Sequence, residues 1–166
     1  LTGLWYGDTI WLYVTDDAGK TWQKQDVKAP AGYTTQAGAV ETQPPMFFGN
    51  NTGILPLVSR SQGQAVIFYR SEDKGMTWKA TKPLKSATNE PPIWSFANIK
   101  EGFASDHVRI FKTADSGTSW ESIKPNQDFK DVTQMDFVSG QVGWAIGKGI
   151  FNKTTDGGIS WSAAMK

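Results

Sequence analysis

Thr15-Asp16-Asp17-Ala18-Gly19-Lys20-Thr21-Trp22 returns as Ser71-Glu72-Asp73-Lys74-Gly75-Met76-Thr77-Trp78. It returns again as Thr113-Ala114-Asp115-Ser116-Gly117-Thr118-Ser119-Trp120 and as Thr154-Thr155-Asp156-Gly157-Gly158-Ile159-Ser160-Trp161. The shared pattern is Ser/Thr-x-Asp-x-Gly-x-Ser/Thr-Trp, with its aspartates 56, 42 and 41 positions apart. Asp followed two residues later by Gly is turn chemistry. The carboxylate accepts from backbone N–H groups ahead of it, and Gly takes the positive φ that other residues resist. Each octet lies between strand-like runs and is expected to be a hairpin tip, with its Trp leading the outgoing strand and packing on its own repeat.

A second echo precedes each octet. Gly143-Trp144-Ala145-Ile146-Gly147 and Gly102-Phe103-Ala104 each begin 13 residues before the box Asp, and Gly3-Leu4-Trp5-Tyr6-Gly7 begins 14 before it. Gly53-Ile54-Leu55 begins 20 before Asp73, an insertion of about seven residues. In the last three repeats a further apolar strand precedes the Gly, at 45–49, 93–99 and 132–138. Four short antiparallel strands in about 41 residues is the size of a β-propeller blade. The fourth repeat is expected to hold strands at 132–138, 142–147, 149–155 and 160–164. The expected fold is all-β, a propeller segment of about four blades at 1–30, 44–82, 92–124 and 131–166. The first blade is expected to lack its innermost strand.

Composition narrows the function. The chain has 166 residues, 17 basic and 16 acidic. That near-neutral balance argues against nucleic-acid binding, and no apolar run is long enough to insert directly into a membrane. There is no cysteine, so thiol chemistry and Cys-ligated zinc are excluded, and the single His107 excludes a His–His metal pair. No cofactor and no metal are expected. Ala18-Gly19-Lys20-Thr21 ends like a phosphate loop, but Val14 stands where its first Gly must be.

The octet resembles the Asp-box, or bacterial neuraminidase repeat, of sialidases, some endoglucanases, sortilin-type receptors and propeller-type photosystem II assembly factors. The Gly143-to-Gly147 stretch followed by the fourth octet looks most like the last of these. The resemblance implies a propeller whose once-per-blade Asp17, Asp73, Asp115 and Asp156 are folding devices, together with Gly19, Gly75, Gly117 and Gly158 and with Trp22, Trp78, Trp120 and Trp161. It also implies that ligands bind on the face opposite the boxes, where inter-blade loops at 23–44, 79–92 and 121–131 meet turns at 59–64, 105–107 and 147–149. Candidate binding residues there are Tyr33, Glu41, Arg60, Glu90, Trp94, Asp106, His107 and Arg109. Asp106 and the other carboxylates of that face are expected to be solvated surface charges, and Trp144 is expected to be core.

An enzyme can be tested on paper. A sialidase needs three converging arginines, and the chain has only Arg60, Arg70 and Arg109, two of them ahead of boxes. The family's Phe-Arg-Ile-Pro motif is absent. Other glycosidases need two carboxylates roughly 5 to 9.5 Å apart, and no spacing here pairs any two. No catalytic residue is assigned. The expected function is a non-catalytic binding or assembly scaffold for a protein or glycan ligand. A glycoside hydrolase completed by groups outside this chain is the alternative. Propellers close with about four to eight blades, so the segment is expected to pair with a second copy or with further blades of a longer protein. An extracellular or cell-envelope location is expected.

Overall fold

The structure, a computed structural model, describes residues 11–36 and 38–164. The Gly3-to-Gly7 strand, and with it the expected gap at the inner edge of the first blade, lie outside the described residues. Among the described residues there is no helix, and sixteen strands form antiparallel sheets. The chain divides into two compact units, Leu1–Pro83 and Leu84–Lys166.

In the first unit, β1 (Trp11–Val14) and β2 (Gln23–Asp26) make a hairpin with the first octet at its tip. The second sheet is built on β5 (Thr52–Ser59) and β6 (Ala65–Ser71), with β7 (Lys79–Ala80) beyond the second octet. The insertion in this repeat lengthens β5 and β6, and the turn between them falls at 60–64. The inner strand was expected at 45–49. It is instead two pieces, β3 (Val40–Thr42) and β4 (Met46–Phe48), each pairing with a different half of β5. Pro44 and Pro45 carry no N–H and separate the two ladders. The core gathers Val27, Val40, Leu55, Leu57, Ile67 and Tyr69. The Tyr69 hydroxyl donates to the Lys28 carbonyl at 3.1 Å, and burial pushes the phenol up to about 12.

The second unit opens with β8 (Leu84–Lys85) and then holds two four-stranded sheets. One runs β9 (Ile93–Phe96), β10 (Gly102–Ser105), β11 (Ile110–Thr113) and β12 (Glu121–Ile123). The other runs β13 (Val132–Phe137), β14 (Gly143–Gly147), β15 (Ile150–Thr154) and β16 (Ser162–Ala163), close to the bounds expected from sequence. In β13 Met135 and Phe137 are buried and alternate with exposed Gln134 and Asp136, the alternation of a sheet packed on one face, while a register shift between Val132 and Gln134 interrupts it before the buried Val132. Phe103 of the third sheet stacks on Phe137 of the fourth, ring centres 3.5 Å apart. Ile110, Phe129, Met135 and Trp161 complete this core.

The repeated glycine that opens the second strand of a blade has a steric cause. In the cross-strand register Gly53 faces Phe47, Gly102 faces Phe96 and Gly143 faces Phe137. Each ring lies across its glycine. A Cβ on Gly102 would stand 2.5 Å from Phe96, and one on Gly143 would stand 2.6 Å from Phe137.

Candidate functional site

The boxes form one hydrogen-bonded ring, built four times. In the fourth, the Thr154 hydroxyl donates to Asp156 Oδ1 at 2.8 Å and accepts from Gly158 N at 3.0 Å. Ser160 N donates to Asp156 Oδ1 at 2.9 Å, and the Ser160 hydroxyl donates to Oδ2. The other boxes repeat the set with Thr15–Asp17–Thr21, Ser71–Asp73–Thr77 and Thr113–Asp115–Ser119. These bonds favour the ionised form, so all four carboxyls sit below their ordinary range. For Asp156, the Ser160 hydroxyl and then its N–H lower the value to about 2. For Asp115, burial pushes upward and is outweighed by the Ser119 hydroxyl and N–H. With both oxygens engaged, these aspartates serve the turn.

The turn takes two left-handed residues, not one. Ala18, Lys74, Ser116 and Gly157 have φ of 59, 63, 63 and 73° before the box glycine. Only the fourth box fills both places with Gly.

Three box tryptophans pack on their own sheets as expected: Trp78 edge-on to Phe47, Trp120 to Phe96 and Trp161 to Phe137. Trp22 departs from this, with 47% of its surface exposed. Trp22, Trp120 and Trp161 donate their indole N–H to the box Gly carbonyl at 3.0–3.1 Å. Trp78 Nε1 is buried and finds no partner among the described residues.

The sequence-derived binding candidates separate into two groups, one in each unit. In the first unit Arg60 meets Glu41 at 3.2 Å across β3 and the 60–64 turn. Glu41 was expected in a loop and instead lies in β3, because residues 40–42 pair with the lengthened β5. Tyr33 is half-buried on the core, its hydroxyl without a partner among the described residues, and burial pushes its phenol up. In the second unit Asp106, His107 and Arg109 form the β10–β11 turn, which the 88–91 segment meets through Thr88 and Pro91. Trp94 lies in β9, half-buried, and Glu90 is exposed.

Asp106 is a correction. It is fully buried, not a solvated charge. Its Oδ1 accepts from Val108 N at 3.1 Å and Arg109 N at 2.7 Å, and its Oδ2 meets Arg109 Nη2 at 2.8 Å. A buried carboxylate needs such partners, and they occupy it with the turn. His107 takes a φ of 67° there, and its Nε2 meets the Pro91 carbonyl at 3.0 Å. Trp144, expected in the core, is half-buried on the outer face of its sheet.

A cleft of about 190 Å³ in the first unit was missed by the sequence reading. Tyr13, Trp22, Phe47 and Trp78 supply its aromatic walls, with Gln25 and Lys74 beside them. Phe47 is 49% exposed, whereas its counterparts Phe96 and Phe137 are buried. Gln25 Nε2 donates to the Met76 carbonyl at 2.7 Å, while its Oε1 is buried with no partner among the described residues. No signal in the sequence marked it: that Phe47 faces Gly53 and that Trp22 is exposed emerge only once the strands pair.

Residues 13–24 match the family model of the BNR/Asp-box repeat. The chain is built of Asp-box β-propeller blades. Among solved structures it is similar to one described as YCF48 bound to D1 peptide, at 19% identity and a TM-score of 0.57. The match covers 75% of this chain and 41% of that one, so this chain spans less than half of that propeller's length. No curated protein matches. Among the described residues of these Asp-box blades, no three His, Asp or Glu side chains gather as a metal site would require. No helix of theirs is long and apolar enough to cross a membrane.

Proposed function

We propose that the chain is a non-catalytic binding and assembly scaffold that captures an extended segment of another protein in the aromatic cleft of its first unit. The carrying observation is the cleft itself: four aromatic side chains beside a donor, Trp78 Nε1, and an acceptor, Gln25 Oε1, that lack partners among the described residues. A peptide supplies what that combination wants. An apolar side chain fills the walls, and a small relaxation of the rim lets its backbone C=O and N–H meet the two unpaired groups. Lys74 favours an acidic neighbour in the segment. The similar fold of a propeller described with a bound peptide supports the same reading. So does the engagement of Asp106 and Glu41 within their own turns and strands, which leaves them poorly placed for acid–base work.

Selection from a displayed peptide library tests it. Enriched peptides are expected to carry a bulky apolar residue near a carboxylate, and Trp22→Ala is expected to weaken them by about 2 kcal/mol, the loss typical of a central aromatic. Peptides indifferent to Trp22→Ala and Phe47→Ala, or turnover of aryl glycosides by the purified chain, would overturn the reading.

A further inference from the structure

We propose, resting on the capture described above, that the first-unit cleft is a seat for one aromatic side chain, held between the ring of Phe47 and the ammonium of Lys74. The captured segment then presents a phenylalanine or a tyrosine. The second unit builds the same place and fills it with a ring of its own. There Phe103 is stacked on Phe137 at 3.5 Å, and Lys112 Nζ caps it at 5.5 Å from the ring centre. Phe137 is buried, whereas Phe47 is half-exposed. The repeat position of Phe103 falls on Leu4, outside the described residues, and leucine carries no ring.

The two places correspond residue by residue. Phe137 lies six positions before Gly143, and Phe47 six before Gly53. Each faces its glycine and meets its box tryptophan edge-on, Phe137 with Trp161 at 5.9 Å and Phe47 with Trp78 at 6.1 Å between ring centres. Gly157 N donates to the Gln141 carbonyl at 2.9 Å, and Lys74 N donates to the Asn51 carbonyl at 2.8 Å. Ile110 and Leu12, each five positions before its box Asp, both pack in the core of their unit.

Between the two units the cation changes walls. Val14 stands at the Lys112 position, three residues before the box Asp, and Lys74 stands at the Gly157 position, one residue after it. A Cβ on Gly157 would lie 3.6 Å from Lys112 Nζ. A side chain grown from that position therefore starts beside the place where the second unit sets its capping ammonium. Lys74 lines the cleft, and its ammonium makes no hydrogen bond or ion pair among the described residues. Each unit thus keeps one lysine beside the ring seat, from opposite walls. The charge selects the occupant: an ammonium complements the negative face of a ring that is itself stacked on a phenylalanine, and an aliphatic side chain leaves that complementarity unused.

NMR titration of the full chain tests the seat with two probes, N-acetylphenylalanine amide and N-acetylcyclohexylalanine amide, alike in size and different in the π face. The phenylalanine probe is expected to bind about fivefold or more tightly and to shift the indole N–H signals of Trp78 and Trp22. Lys74→Met should remove that preference. Lys74→Gly combined with Val14→Lys should restore it, because the pair recreates the Gly157 and Lys112 arrangement. Equal binding of the two probes, or none, overturns the proposal, as does a preference that survives Lys74→Met. A double variant with wild-type circular dichroism and no preference overturns the role of the lysine. A preference seen only in Leu4→Ala overturns the seat as a ligand site, by giving it to the chain's own segment. Selected peptides that enter the cleft without preferring a ring sink the aromatic seat alone. Probes that bind where no selected peptide does sink the capture alone.

Discussion

Within a box, the aspartate and the residue after it carry separate energetic roles. Asp156 is held below its ordinary 3.8, at about 2, by the Ser160 hydroxyl and N–H. A folded-state value below the unfolded one means that the stability is fully present above about pH 4 and is lost as pH falls toward about 2. Ser160→Ala removes the largest cause, so the Asp156 carboxyl should titrate closer to 3.8, as carboxyl NMR would show, and acid unfolding should begin at higher pH. The left-handed position gives the opposite kind of test. Lys74 pays for a φ of 63° with its Cβ, so Lys74→Gly should raise stability by up to about 1 kcal/mol in urea unfolding. Gly157→Ala should lower it by about 1 kcal/mol or more, since its Cβ would also stand 3.0 Å from the Gly140 carbonyl. The octet made the turn and its glycine legible from sequence. The second left-handed residue was not legible, because Ala, Lys, Ser and Gly share no side-chain chemistry that announces it.

At the level of strands, the paired ring and glycine fix how tightly a blade closes. Phe137 is buried between Phe103 and Trp161, so it cannot swing away from a new methyl group at Gly143. Gly143→Ala should therefore cost about 1–3 kcal/mol, while Gly53→Ala should cost less, because the half-exposed Phe47 has room to move. Paired urea titrations measure the difference. Sequence identified these glycines as the start of a strand but not their cause, which lies across the ladder on a different strand. It also placed the fourth blade's strands within one or two residues, because the repeated Gly and the octet bracket them. It misjudged 40–42, where three residues pair with an extension of β5 that only the insertion creates.

For the whole molecule, a residue's place among the blades matters more than its type. Phe103→Ala should lower stability by about 3–5 kcal/mol in thermal or urea unfolding, since it empties a stacked, fully buried site. Trp144, the same position one repeat on, is half-buried and should tolerate Ala with a smaller loss. Repeat position alone put Trp144 in the core. What separates it from Phe103 is whether a neighbouring sheet lies over it, and the local pattern carries no such information. The site was equally hard to read: Asp106 looked solvated in the chain and is buried, Glu41 looked like a loop residue and lies in β3, and the aromatic cleft joins residues of two repeats, from Tyr13 to Trp78. The box rings differ in this respect, since each closes within eight residues. Even the first forms its full set beside an exposed Trp22. Such turns can form on the microsecond scale of isolated hairpins, before any blade meets its neighbour. Folding of this chain then has several equivalent starting points, and its pace is set by the later meeting of sheets.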